Sequence, residues 1–163
     1  MTVVVVMGVS GSGKTTVGTA LAERLGVEYA EADAFHSEAN IAKMGAGIPL
    51  TDADRAPWLR AIAAWIGEHE ATGGVVTSSA LKRRYRDVLR GGGPCWFLHL
   101  DGAHDLLAAR MNTRKGHFMP ASLLDSQLAD LEPLDADEPG MVVDAADPPD
   151  TILTTALVAL TGL

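Results

Sequence analysis

The chain has 163 residues, a formal net charge of −8 and a single cysteine, Cys95. That length suits one domain with a real core. The acidic balance argues against a broad nucleic-acid surface. One cysteine excludes an internal disulfide or a thiolate zinc cluster, and a reducing cytoplasm is the expected compartment. The longest apolar run, around Val3–Met7, is far too short to cross a bilayer, and no basic segment precedes it, so neither a membrane span nor a secretory signal is expected.

In chain order, Val3, Val4, Val5 and Val6 form a β-branched run that predicts a strand buried on both faces. Gly8-Val9-Ser10-Gly11-Ser12-Gly13-Lys14-Thr15 follows and reads G-x-x-x-x-G-K-[ST], the phosphate-binding loop. Helical spacing of Val17, Ala20, Leu21 and Leu25 continues it. The motif thus stands between a strand and a helix, where its mechanism needs it. Glycines let the loop curl until N–H groups face phosphate oxygens, and the helix N-terminus adds positive potential. Lys14 is expected at the β- and γ-phosphates and the Thr15 hydroxyl on Mg²⁺.

Gly26 reads as a helix C-cap, and Val27–Ala32 as a short strand ending in Glu31-Ala32-Asp33. Ligands of open α/β sheets bind beyond such strand ends. Asp33 is therefore the candidate general base and Glu31 a candidate for Mg²⁺ through water, although plain surface carboxylates at a strand end read the same way. Ser37 opens a helix carrying Ile41 and Met44, with His36, Asn40 and Lys43 near it. A longer helix follows through Trp58, Leu59, Ile62 and Ile66, with Trp58 read as core. Arg55 lies in that helix's first turn, where the dipole disfavours a cation. It suits an anionic substrate, and an ion pair with Asp52 or Asp54 explains it equally well.

Val75–Ser79 predicts a third strand and Ala80–Arg90 a helix crowded with basic residues, of which Lys82 and Arg83 lie near the ligand end. Cys95–Leu100 predicts the fourth strand and Ala103–Met111 a helix. Arg110, Arg114, Lys115 and His117 then share one window with Gly116 and Pro120. A basic, glycine-containing segment here has the character of a lid whose arginines neutralise a transferring phosphoryl group, against the plainer reading of a basic loop without ligand. Leu123–Leu131 predicts an amphipathic helix, Met141–Asp144 a fifth strand, and Ile152–Leu160 a last helix. Alternating strands and helices call for an α/β fold, a five-stranded parallel sheet with helices on both faces. Residues 1–163 form one domain, with a helical lid insertion at about 112–140.

With these residues in view, the sequence resembles the gluconate kinases (gluconokinases) among the P-loop small-molecule kinases. His36-Ser37-Glu38-Ala39-Asn40-Ile41-Ala42-Lys43-Met44 resembles the family's H-P-x-x-N-I-x-K-M. The block from Gly47 to Leu59 resembles G-x-P-L-x-D-x-D-R-x-P-W-L, and Ser79–Asp87 resembles S-A-L-K-x-x-Y-R-D. Arg114–Pro120 resembles the lid signature R-x-x-H-F-M-P. The resemblance implies a P-loop kinase fold with a closing lid, often a homodimer, and phosphorylation of D-gluconate at its 6-hydroxyl by ATP with Mg²⁺. It puts Asp33, Lys14 and Arg114 in catalysis. The nucleotide falls to Gly8, Ser10, Gly11, Ser12, Gly13, Lys14, Thr15 and Thr16, with Arg110 and Arg114. Gluconate falls to Asp33, His36, Asn40, Lys43, Arg55, Ser79, Lys82, Arg83 and His117. Two departures stand out: Glu31-Ala32-Asp33 where the family has D-G-D, and Ser37 in place of proline. A kinase for another small hydroxy acid, such as shikimate, is the nearest alternative. A GTP-binding switch lacks its N-K-x-D base-reading motif here, and an idle nucleotide-binding module sits badly with Lys14, Thr15, Asp33 and Arg114 all present.

Overall fold

The computed structural model describes residues 2–113 and 122–162. Its elements run β1 (Val3–Met7), α1 (Lys14–Leu25), β2 (Glu28–Ala30), a 3₁₀ turn (Ala32–Phe35), α2 (Glu38–Gly45), α3 (Asp52–Glu68) and β3 (Gly74–Thr77). They continue with α4 (Arg83–Arg90), β4 (Cys95–Asp101), α5 (His104–Thr113), α6 (Ser122–Asp130), β5 (Gly140–Asp144) and α7 (Pro149–Thr161). Among the described residues, five strands form one sheet in the order β2-β3-β1-β4-β5, and every pairing is parallel.

The valine run sits at the centre. Val3 pairs with Gly74 on one side and Cys95 on the other, so β1 has a ladder on both edges. Its side chains alternate between two cores. Val3, Val5 and Met7 pack with Trp58, Leu59, Ile62 and Ile66 of α3 and Leu89 of α4. Val4 and Val6 pack with Val17 and Leu21 of α1 and with Ile152, Leu153 and Ala156 of α7. A strand covered on both faces has no use for polar alternation, which is why it reads as continuous valine. Cys95 is buried at the foot of β4, where desolvation pushes its thiol up to about 12; such a thiol is unreactive.

Helix starts follow the local chemistry. The Ser37 hydroxyl accepts the Asn40 N–H at 3.2 Å, and Thr51 with Asp54 forms a reciprocal capping box on α3. Three boundaries differ most from those the sequence predicts. The second strand stops at Ala30, because the Ala32 N–H donates to the Thr77 hydroxyl at 3.2 Å and its carbonyl accepts the Trp58 indole N–H at 2.9 Å. Those bonds draw the chain out of the ladder into the 3₁₀ turn. Likewise β3 ends at Thr77, and α4 starts at Arg83 rather than Ala80. Ala80 is held at φ 44°, and the Arg86 guanidinium takes the Ala80 and Leu81 carbonyls at 2.9 and 3.3 Å.

Arg86 is the largest fully buried side chain of the described residues. It makes a two-pronged pair with the buried Glu138 at 2.6 and 3.0 Å and donates to the Glu132 and Pro133 carbonyls at 3.0 and 3.2 Å. Burial raises the Glu138 carboxyl, but the Arg86 hydrogen bonds, the Asp135 N–H and the charges of Arg86 and Arg83 together outweigh it, and the group lies below the usual carboxylate range. The pair fastens the segment after α6 to the β3–α4 turn. Replacing Arg86 by Met strands a buried carboxylate and should lower stability by about 3–5 kcal/mol in urea unfolding. Adding Glu138→Leu to Arg86→Met should recover a large part of that loss; no recovery would show that the pair's charge is not what matters.

Candidate active site

The phosphate loop leaves the buried carboxyl end of β1 and turns on glycines with positive φ, +150° at Gly8, +83° at Gly11 and +94° at Gly13. A Cβ on Gly8 would lie 2.8 Å from the Leu100 carbonyl, so the loop's close approach to β4 also requires glycine. α1 starts at Lys14 with Gly13 as N-cap and no side-chain cap. The helix's first N–H groups are therefore left to an anion. Lys14 Nζ lies across its own loop and donates to the Gly8 and Val9 carbonyls at 2.9 and 3.0 Å.

Two clefts meet at this loop. One is lined by Ser10, Gly11, Gly13, Lys14 and Thr15 from the loop, then Glu31, His36, Arg55, Trp58, Thr77 and Ser79, with Ser126, Gln127 and Asp130 of α6 closing it. The other lies between Gly11, Ser12, Gly13, Thr15, Thr16 and Val17 on one side and Arg110, Ala145, Asp147, Pro149 and Ile152 on the other. Arg110 bridges its walls, donating to the Ala145 carbonyl at 2.7 Å and to the Gly11 and Ser12 carbonyls at 3.4 Å. The loop thus forms a wall common to both clefts, as a donor and an acceptor site would require.

The first cleft is asymmetric in charge. Arg55 is only 9 % exposed. Its Nη1 donates to the Leu50 carbonyl at 2.7 Å and the Tyr85 hydroxyl at 3.1 Å, with the guanidinium over the Tyr85 ring at 5.2 Å. Neither carboxylate neighbour in sequence serves it. Asp52 bonds to Arg84 and the Tyr85 hydroxyl, and Asp54 binds Lys43 at 2.9 Å. Among the described residues no carboxylate pairs with Arg55, a buried cation that lines the cavity. His36 stacks on Trp58 with centroids 4.2 Å apart. Burial, and then the nearby Arg55, push its imidazole down to about 4, so it is neutral near pH 7.

The remaining sequence candidates are distributed as follows. Ser79 lines the first cleft. Asn40 is buried beside it and donates to the Asp54 carbonyl at 2.9 Å, with its amide 3.4 Å from His36 Nδ1. Lys43 is engaged by Asp54, Lys82 lies 4.0 Å from Asp130, and Arg83 is gripped by Asp87, Asp135 and Asp137 at 2.8–3.1 Å. These last four are not among the side chains lining the cleft. The backbone of Asp33 lies in the 3₁₀ turn, but its side chain is outside the described residues, as are Arg114, Lys115 and His117. Trp58 is both core and cavity wall. The sequence alone does not single out Thr77, Tyr85 or Gln127 as site residues. Thr77 could have been suspected as a polar residue closing a buried strand.

Glu31 is held in place by the Tyr29 hydroxyl and by the Thr77 hydroxyl at 3.1 Å. Burial and then the Glu31 carboxylate push the Tyr29 phenol well above its usual range. Thr15, Glu31 and Thr77 thus put hard oxygen donors on one cavity. No cluster of three or more metal-binding side chains exists among the described residues. That donor set fits Mg²⁺ brought in with phosphate oxygens and water rather than a dedicated protein cage.

A parallel sheet of this order, a glycine phosphate loop at its carboxyl end and two clefts sharing that loop define a P-loop kinase. The family model for shikimate kinase matches residues 10–137. The chain is 55 % identical over 152 residues to a gluconokinase from Gluconobacter oxydans, covering 91 % of this chain and 85 % of that one. A gluconokinase structure from Sinorhizobium meliloti superposes with TM-score 0.89 at 49 % identity, covering 98 % and 91 % of the two chains. An unliganded sugar kinase from Janibacter gives TM-score 0.93 at 55 % identity, covering 99 % and 95 %. The chain belongs to the gluconokinase family.

The neutral, buried His36 carries a pH signature. The unfolded chain protonates it near 6.5 and the folded chain only near 4, so the unfolded state binds more protons between them. Its contribution to stability is present above 6.5 and declines as pH falls towards 4. Comparing urea midpoints at pH 7.5 and 5.5, His36→Gln should show a smaller acid loss than the parent, a difference in which the other histidines cancel. Equal losses in both proteins would mean that His36 is not held neutral.

Proposed function

We propose that the protein transfers the γ-phosphoryl group of ATP to the 6-hydroxyl of D-gluconate, giving 6-phospho-D-gluconate and ADP, and so admits gluconate to carbohydrate metabolism. The observation that carries this reading is the buried Arg55, without a carboxylate partner among the described residues, on the same cavity as Lys14 and Thr15. An aldonic acid supplies the missing carboxylate at one end and a primary alcohol at the other. Family membership supports the same acid.

In this reading Arg55 takes the carboxylate through charge-assisted hydrogen bonds. Neutral His36, Ser79 and Asn40 serve the polyol, and Lys43, Lys82, Arg83 and His117 remain candidates for its outer contacts. Asp33 accepts the 6-hydroxyl proton as that oxygen bonds to the γ-phosphorus and the bond to the β,γ-bridging oxygen breaks. Lys14 leaves the Gly8 and Val9 carbonyls for the β- and γ-phosphates. The loop N–H groups of Gly8–Thr16 hold the phosphates, and Arg114 balances the charge of the transferring group. Arg110 borders the nucleotide cleft. Mg²⁺, when bound with Thr15 as its protein ligand, supplies charge neutralisation of the phosphates. The reading extends to a cytoplasmic homodimer in which residues 1–163 act as one kinase domain, with residues 112–140 as its lid.

Removing a charge-assisted bond to a carboxylate costs about 1.5–3 kcal/mol. Arg55→Ala should therefore raise the gluconate KM roughly tenfold to a hundredfold with the ATP KM nearly unchanged. Asp33→Asn should cut kcat by about 10²–10⁴ and leave ATP binding intact. The assay is ADP formation across a panel of sugar acids that includes shikimate. Preference for shikimate, or an unchanged gluconate KM in the Arg55 variant, would defeat the proposal.

A further inference from the structure

One hydrogen bond in the first cleft joins the phosphate loop to α6. Gln127 Oε1, on α6, accepts the Ser10 N–H at 2.8 Å across 117 residues of sequence. α6 is set for this contact by packing. Its Leu124 is 1 % exposed and clusters with Val9 of the loop, Leu81 and Leu107. Just beyond α6, the Glu132 N–H donates to the Leu81 carbonyl at 2.7 Å. Gln127 also lines the cleft, beside Ser126 and Asp130.

The arm of the loop from Gly8 to Ser10 is thus gripped from two directions. Lys14 holds its Gly8 and Val9 carbonyls, and Gln127 holds its Ser10 N–H. The two grips differ in permanence. A lysine in this motif serves the β- and γ-phosphates, and one ammonium cannot lie flat on two loop carbonyls and stay fully engaged with phosphate. When Lys14 moves, the arm gives up two charge-assisted bonds just as its alignment with the acceptor matters. The Gln127 tether is neutral and does not depend on Lys14. It also joins the loop to the helix that walls the acceptor cavity.

We propose that Gln127 is a positioning residue for phosphoryl transfer. Through the Ser10 N–H it keeps the Gly8–Ser10 arm in register with the acceptor cavity once Lys14 is drawn onto phosphate. The inference rests on phosphoryl transfer at this loop and not on which acid accepts the group. A small misplacement of reacting groups is enough to slow a step that depends on alignment.

The test combines kinetics with amide exchange of the loop in the intact protein, using Mg·ADP as the probe ligand. For Gln127→Leu, the loss of one hydrogen bond predicts a fall in kcat of about tenfold. The gluconate KM and the Mg·ADP Kd should stay within about twofold and the thermal midpoint should hold. The peptide covering residues 8–13 should exchange faster in the ADP-bound variant than in the ADP-bound parent. Gln127→Glu keeps the acceptor oxygen, so loop protection should return, while its charge raises the ATP KM. Unchanged loop exchange or unchanged kcat in Gln127→Leu would overturn the proposal. So would a kcat loss that tracks a fall in thermal midpoint, or failure of Gln127→Glu to restore protection. Absence of gluconate turnover in the parent would instead count against the substrate assignment, while the exchange and ADP results would still decide the role of Gln127.

Discussion

The double ladder on β1 is the constraint from which the site follows. Because β1 pairs in parallel with β3 and β4 at once, three strand ends point the same way and open along one edge. The phosphate loop leaves the middle strand, Thr77 and Ser79 leave one neighbour, and Leu100, whose carbonyl crowds Gly8, belongs to the other. Burying a valine contributes about 1.5–3 kcal/mol, and all five residues of β1 are buried. The loop therefore springs from a strand that is buried along its whole length and paired on both edges. That matters for a glycine loop, which has little rigidity of its own. Its shape is supplied from outside, by the strand behind it, the helix ahead of it, and side chains that fasten its backbone.

Two buried arginines show how the same side chain takes opposite roles. Arg86 has a carboxylate and four carbonyls around it, and every contact is internal. It closes a polar network and joins the segment after α6 to the rest of the fold. Arg55 has one carbonyl, one phenol and the face of a ring, and lines a cavity. A desolvated guanidinium without a carboxylate is costly unless something else brings the charge. Tyr85 marks the boundary between the roles. It accepts from Arg55 while donating to Asp52, and Asp52 is occupied by Arg84. Asp52 is thereby kept for Tyr85 and Arg84, and among the described residues no carboxylate pairs with Arg55.

What the sequence revealed divides along the same line. The valine run, the glycine loop and the amphipathic helices are local patterns, and the structure has the expected strand count, parallel order and helices on both faces. Arg55 was also legible, because a cation in a helix's first turn is locally unfavourable and so calls for a reason. The start of α4 was not. Ala80, Leu81 and Lys82 are good helix formers, but the Ala80 and Leu81 carbonyls are taken by a side chain that reaches back from Arg86, and no local propensity reports that. The pairing of Lys43 is equally non-local, because Asp54, eleven residues on, reaches it from the next helix. Gln127 was invisible for a related reason. Periodicity tells which face of α6 is apolar, not that the polar residue beside it meets a loop at the other end of the chain.

The overall charge sharpens the point. A protein of net charge −8 repels both a triphosphate and an aldonate at long range, so its total field cannot recruit them. At physiological salt that field is screened within about 8 Å, and what a ligand meets is the local arrangement. Around the loop this is an uncapped helix end, Lys14 and Arg110, and across the cleft a desolvated Arg55. The acids nearby are mostly spoken for: Asp54 by Lys43, Asp52 by Arg84, Asp135 and Asp137 by Arg83, Glu138 by Arg86. Glu31 stands apart, bonded only to hydroxyls among the described residues. It lies on the cavity beside Thr15, which Asp130 also lines, and suits a hydrated cation that arrives with the phosphates. Among the described residues, much of the basic character that stands out in the sequence is engaged with acids of the fold: Lys43, Arg83, Arg84 and Arg86 each hold a carboxylate.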